Sequence, residues 1–376
     1  MERFHVKPEV YFNTGALEYL TGLDKEKAFI ISDPFMVKVG FTDQLAEVLK
    51  SSVSDYELFT NIKPDPPIEV VAEGVRRMLS YQPDVVIALG GGSTIDAAKG
   101  IITITEKLQA AAGNDAKKKP EFIAIPTTSG TGSEVTSFSI ITVGGEKIPL
   151  IDDSLIPDVA IIDANFVKTV PPQITADTAI DVLTHAIEAY VSTAASDYSD
   201  ALAEKAAKLV FTYLLRAYQD GSDIEAREKL HNASCIAGMA FTNASLGLNH
   251  GMAHALGGAF HIPHGRANAI LLPFVIKYNT NFPDAGKKYA ALAKELGLPA
   301  ATVAEGINSL ISAITVLTRE TKVPVSLKEM GIEKEAYLAK LDAMSDAALH
   351  DRCTATNPRL PEKNEVKKLY LELYEK

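Results

Sequence analysis

Residues 84–99, DVVIALGGGSTIDAAK, decide how this chain is read. The run 84–90 is apolar and rich in β-branched residues, the composition of a strand covered by helices on both faces. It leads straight into Gly90, Gly91 and Gly92, then Ser93 and Thr94, and residues 93–105 carry the apolar spacing of a helix. A strand that turns through glycines into a helix offers a phosphate unshielded backbone N–H groups and the positive end of the helix dipole. The spacing matches neither G-x-G-x-x-G nor a P-loop, because Lys99 stands too far along. The unit therefore fits either a pyrophosphate cradle or a tight strand-to-helix turn.

Similar runs lie on either side: 27–33 (KAFIISD), 121–126 (EFIAIP) and 159–163 (VAIID), with a helical period over 68–81. Alternating strands and helices predict a parallel α/β sheet. A second polar loop, residues 126–134 (PTTSGTGSE), follows the strand at 121–126, and its hydroxyls and glycines suit contacts to a ribose or phosphate. Two such loops after neighbouring strands converge where open α/β sheets bind ligands. Asp33 ends an earlier run and precedes Pro34. It fits an acceptor for an adenosine ribose, which would favour NAD(H) over NADP(H), and it fits equally a helix-capping or turn aspartate. Residues 111–119 (AAGNDAKKK) read as a polar, basic surface loop.

Beyond Pro171 and Pro172 the texture changes. No convincing strand follows, and helical spacing recurs at 176–191, 198–217, 223–241, 246–260, 285–296 and 300–317. The proline pair reads as a stop and a boundary: residues 1–172 as the α/β domain, residues 173–376 as an all-helical one. With 37 basic and 48 acidic residues the net charge is −11, which disfavours nucleic acid and anionic membrane as partners. No apolar run nears the roughly 18–20 residues of a membrane span. The polar start and the two cysteines, Cys235 and Cys353, lead us to expect a cytoplasmic enzyme.

Histidine is scarce, 8 in the chain, yet four fall within residues 250–264: His250, His254, His261 and His264. His250 and His254 stand four apart, so both project from one face of a helix, and Asp181 and His185 repeat that spacing in the apolar stretch 181–190 (DVLTHAIEAY). A buried aspartate beside imidazoles is costly unless something compensates its charge, and a divalent cation does so directly. One carboxylate with three imidazoles suits Fe(II) or Zn(II). We take Asp181, His185, His250 and His264 as metal ligands, leave His254 free to act nearby as the catalytic group, and hold His261 in reserve. A polar core network without metal is the plainer alternative.

Taken together, GGGSTIDAAK, IPTTSGTGSEVT, DVLTHAIEAY, NHGMAHALGGAFHIPHG (residues 249–265) and the closing CTATNPR (residues 353–359) resemble the iron-containing, or group III, alcohol dehydrogenases. The likeness spans essentially the whole chain. Within that family, residues 197–213 (DYSDALAEKAAKLVFTY) look like the short-chain branch of 1-propanol dehydrogenases from propanediol-utilisation microcompartments. The resemblance implies an N-terminal Rossmann-like NAD domain, an all-helical C-terminal metal domain (the dehydroquinate synthase-like fold) and a cleft between them. It implies Asp33 at the ribose, Gly91, Gly92 and Ser93 at the pyrophosphate, Thr127 and Thr128 near the nicotinamide half, and Lys147 beside the cofactor. On charge alone Lys147 reads as an exposed loop residue.

It also implies reversible reduction of a short-chain aldehyde, propionaldehyde or acetaldehyde, to the primary alcohol with NADH. Butanol, lactaldehyde and 1,3-propanediol dehydrogenases of the same family are the alternatives. Glycerol dehydrogenases, which bind zinc through one aspartate and two histidines, fit less well because His185 fills a fourth position. A dehydroquinate synthase-like lyase needs several basic residues for a phosphorylated acid, and only Arg266 stands near the metal motifs. A helical metal-binding module without catalysis leaves the two glycine loops unexplained. A homodimer or higher homo-oligomer and microcompartment association complete the expectation.

Overall fold

The computed structural model describes residues 3–113 and 119–375, so most of the basic loop expected at 111–119 lies outside the described residues. The chain divides into two compact units, one of residues 5–169, the other of residues 170–375 with Arg3 and Phe4.

The first unit holds β1 (Glu9–Phe12), β2 (Lys25–Ile31), β3 (Val53–Phe59), β4 (Val85–Gly90), β5 (Glu121–Pro126), β6 (Phe138–Val143), β7 (Glu146–Ile151) and β8 (Val159–Ile162). Its helices are α1 (Pro34–Lys38), α2 (Phe41–Leu49), α3 (Ile68–Tyr81) and α4 (Gly92–Ala111). Six strands form one sheet, all neighbours parallel, in the order β1-β8-β5-β4-β2-β3. β4 is buried along its whole length, as its two-sided apolar run requires. On one face Phe29, Ile31, Val86 and Ala88 pack under α3 and α4 through Val75, Met78 and Ile101. On the other, Ile30, Val85, Ile87 and Leu89 pack against Leu45 and Leu49 of α2. Each fully buried side chain of this kind contributes roughly 1.5–3 kcal/mol.

The connections leave the sheet in opposite senses. From β2 the chain passes through α2 to its outer neighbour β3, whereas from β4 it passes through α4, on the other face, to β5. The order therefore reverses between β2 and β4, and the crevice at their C-terminal ends is where such sheets bind ligands. Asp33 and Gly91 begin the loops at that point.

Four strands depart from the expected pattern. β1 and β3 are edge strands exposed along most of their length, so they lack the two-sided buried run of the central strands. β6 and β7 form an antiparallel hairpin turned by Gly144 and Gly145, both at positive φ, where the sequence reading saw a loop around Lys147.

The second unit is helical: α5 (Pro172–Val191), α6 (Asp197–Gln219), α7 (Ile224–Ala244), α8 (Leu248–Phe260), α9 (His264–Asn279), α10 (Pro283–Glu295), α11 (Val303–Glu320), α12 (Lys334–His350) and α13 (Lys363–Glu375). The proline pair expected to stop the chain instead starts a helix. Pro171 is the N-cap of α5 and Pro172 its first residue, where the missing N–H costs no hydrogen bond and φ is already helical. From Ala179 onward α5 is buried on every side, packed on α6, α7 and α9. The sequence reading missed α9, whose interior Pro273 masks the helical period, α12, whose apolar residues form no clear stripe, and α13.

Candidate functional site

Asp181, His185, His250 and His264 come together in the helical unit: one ligand atom from each lies within 4.8 Å of every other. Asp181 and His185 project from one face of α5, His250 from the first turn of α8, and His264 opens α9. The Asp181 carboxylate sits at the middle, with Oδ1 at 3.4 Å from His264 Nε2 and 3.6 Å from His250 Nε2, and Oδ2 at 3.9 Å from His185 Nε2. Ligands about 2.1 Å from a tetrahedral cation stand about 3.4 Å apart, so the donor set fits one metal ion after small shifts.

Three of the four side chains are almost wholly buried, while the His264 side chain is 41% exposed, so the pocket opens on that side. Burial by itself would raise the pKa of Asp181, but His185 and the other two histidines hold it well below the usual carboxylate range. Burial likewise works against charge on His250, yet the flanking Glu188 and Asp181 carboxylates pull its pKa up to about 9. A site that draws a proton onto an imidazole in this way has too much negative charge for its depth, which a divalent cation would balance.

The surroundings hold residues absent from the sequence expectation. Asn268 donates its amide to Asp181 Oδ1 at 2.7 Å, and its Oδ1 accepts from Asn249 Nδ2 at 2.9 Å. Glu188 meets His250 Nδ1. Both were within reach of spacing: Glu188 falls seven residues after Asp181 and Asn268 four after His264, each on the ligand-bearing face. Arg266 is engaged by Asp177, with Nη2 at 2.8 Å from Oδ2, and so staples α9 to α5.

His254 is not among the four. Its ring stacks on His264 with centroids 5.2 Å apart, and Nδ1 lies 2.8 Å from Asp351 Oδ2. Cys353 stands beside this pair, but burial and the Asp351 carboxylate push its thiol pKa well up, which keeps it from acting as a thiolate. His261 caps α8 in the left-handed region, exposed and outside the cluster.

In the α/β unit, Gly91 is the N-cap of α4 and Ser93 accepts the Asp65 N–H at 3.3 Å. Lys147, exposed on β7, pairs with the Asp65 carboxylate at 2.6 Å, which brings it beside the glycine loop. The two loops pack closely: a Cβ on Gly92 would lie 2.7 Å from the Thr131 methyl, and one on Gly91 3.4 Å from Thr128. Thr127 is buried, its N–H donating to Gly90 O at 3.0 Å. Asp33 is a helix cap, Oδ1 accepting from the N–H groups of Phe35 and Met36, while Oδ2 accepts a long 3.4 Å contact from the Thr94 hydroxyl. Half-buried Asp96 and buried Lys99 tie α4 to the second loop and the residues just after it, through Ser133 Oγ at 2.6 Å and Thr136 O at 2.8 Å respectively.

The iron-containing alcohol dehydrogenase family matches residues 7–164, and the C-terminal part of the Fe-containing alcohol dehydrogenase family matches residues 175–374. The chain is 45% identical to a 1-propanol dehydrogenase of Salmonella typhimurium, covering 99% of this chain and all of the relative. It is 41% identical to an NADPH-dependent butanol dehydrogenase of Clostridium saccharobutylicum, over 98% and 97% of the two chains. Among solved structures, an iron-containing alcohol dehydrogenase of Thermococcus thioreducens superposes with a TM-score of 0.91 at 33% identity, covering 99% of this chain and 100% of the other. The chain belongs to the iron-containing alcohol dehydrogenase family.

Proposed function

We propose that this protein interconverts short-chain aldehydes and their primary alcohols with NADH, using one iron(II) ion held by Asp181, His185, His250 and His264. The carrying observation is the placement of three imidazole nitrogens 3.4–3.9 Å from one buried carboxylate, with the pocket open at His264. When bound, the metal would supply Lewis acidity toward the aldehyde oxygen and the nicotinamide would supply the hydride. RCHO, NADH and a proton give RCH2OH and NAD+.

The chain's own residues have three tasks in this scheme. Asp181 and the three imidazoles would hold the cation at the open side of the pocket. His254 delivers the proton that the aldehyde oxygen needs: Asp351 occupies Nδ1, leaving Nε2 for proton exchange, and holds the ring in place. Gly91, Gly92 and Ser93 at the start of α4 hold the pyrophosphate, Lys147, paired with Asp65, stands beside them, and Thr127 and Thr128 line the nicotinamide side. Asp33 keeps one carboxylate oxygen nearly free for ribose hydroxyls and repels a 2′-phosphate, which supports NADH over the NADPH named for the butanol dehydrogenase.

NADH oxidation by iron-loaded protein with acetaldehyde, propionaldehyde and butyraldehyde tests the proposal. Turnover with all three that disappears on chelation is expected; turnover unaffected by complete metal removal would sink it. Homodimer formation and microcompartment residence belong to the same reading, and sedimentation and co-purification with shell proteins check them.

A further inference from the structure

Glu188 is 3% exposed, lies on the α5 face that carries Asp181 and His185, and uses both carboxylate oxygens. Oε1 accepts the backbone N–H of Asn249 at 2.6 Å and, more weakly, that of His250 at 3.4 Å. Oε2 meets Nδ1 of the His250 ring. The opposite nitrogen of that ring, Nε2, faces the pocket, 3.6 Å from Asp181 Oδ1. A histidine ligand whose outer nitrogen is tied to a carboxylate has its ring orientation and its proton placement decided by that partner.

We infer that Glu188 is the positioning residue of the metal centre: by accepting the Nδ1 proton of His250 it reserves Nε2 for the cation. The role rests on reading the four side chains as a metal site. A carboxylate is required because acceptors are needed on two sides at once. Glutamine has the same shape but a single oxygen. If that oxygen stays with the Asn249 N–H, the amide N–H group faces Nδ1 and drives the ring proton to Nε2, where the cation must sit. If the amide turns over, its N–H group opposes the backbone N–H of Asn249, and a buried donor loses its acceptor. Either arrangement weakens the grip on the metal without removing a ligand.

The test compares zinc binding to metal-stripped wild-type protein and to Glu188→Gln, by competition with a chelator. Wild type should take up one equivalent, and the variant should bind about 10–100-fold more weakly. A loss of less than tenfold overturns the role of Glu188. Should wild type take up no zinc, or should Asp181→Ala bind it undiminished, the four-ligand reading itself fails, and the inference with it. If Glu188→Gln does not fold, nitrogen-15 NMR of zinc-loaded wild type decides: a proton on His250 Nδ1 with zinc on Nε2 is expected, and the reverse overturns the proposal.

Discussion

At the scale of the residue, the histidines His254 and His264 are proposed to have separable tasks, although their rings stack 5.2 Å apart. His264→Ala removes one of four ligands, so metal content and activity should fall together. His254→Ala should keep its metal while kcat drops about 10²–10⁴-fold, the usual loss when a general acid is deleted. Metal analysis beside steady-state kinetics checks both, and metal loss in His254→Ala would contradict the assignment. Glu134 offers a pH-dependent test in the other unit. Burial pushes its pKa from 4.5 up to about 7. Between those values the native protein keeps a proton that the unfolded chain has released. Its stabilising contribution is thus complete below pH 4.5 and lost as pH rises through about 7. Glu134→Gln cannot lose that proton. The melting temperature of the variant minus that of wild type should therefore climb from pH 5 to pH 8; a flat difference would refute the shift.

At the scale of the element, the site depends on how closely α9 approaches α5. Gly265, the second residue of α9, stands so near the Asp177 carbonyl that an added Cβ would lie far inside van der Waals contact. Asp177 also holds Arg266 at 2.8 Å. A methyl group at Gly265 must push the two backbones apart, and overpacking of this kind costs about 1–3 kcal/mol. The strain falls on the residue next to His264. Gly265→Ala is thus expected both to melt earlier and to release zinc to a chelator faster than wild type. A variant with unchanged zinc release would show that His264 tolerates the displacement.

At the scale of the whole molecule, the two units have separate cores and separate chemistry. The four proposed metal ligands all lie in residues 170–375, and the glycine loops all lie in residues 5–169. A ligand that binds the native state at 100 times its Kd stabilises it by about 2.7 kcal/mol. Hydrogen exchange should map that stabilisation unit by unit. Zinc is expected to slow exchange in α5, α8 and α9, and NADH to slow it in the loops after β2, β4 and β5. Zinc protection centred on the glycine loops would place the metal elsewhere. Among the described residues no helix is long and apolar enough to cross a membrane.

What the sequence by itself determined were features with a local cause. The two-sided apolar runs at β2, β4, β5 and β8, the turn through Gly90 to Gly92, and the i, i+4 pairs Asp181/His185 and His250/His254 follow from periodicity and residue chemistry within one element. The edge strands β1 and β3 escaped because exposure along most of their length removes the two-sided buried run, and α9 because Pro273 interrupts its pattern. Only the tertiary structure decided which donors meet. Asp181 and His250 are 69 positions apart (250 − 181), and their 3.6 Å approach depends on α9 packing against both α5 and α8. The partners that orient the site, Glu188 on His250, Asn268 on Asp181 and Asp351 on His254, belong to that same long-range packing. A hydrogen bond between distant elements leaves no periodic trace in the chain. It exists only once the core has brought its two ends together.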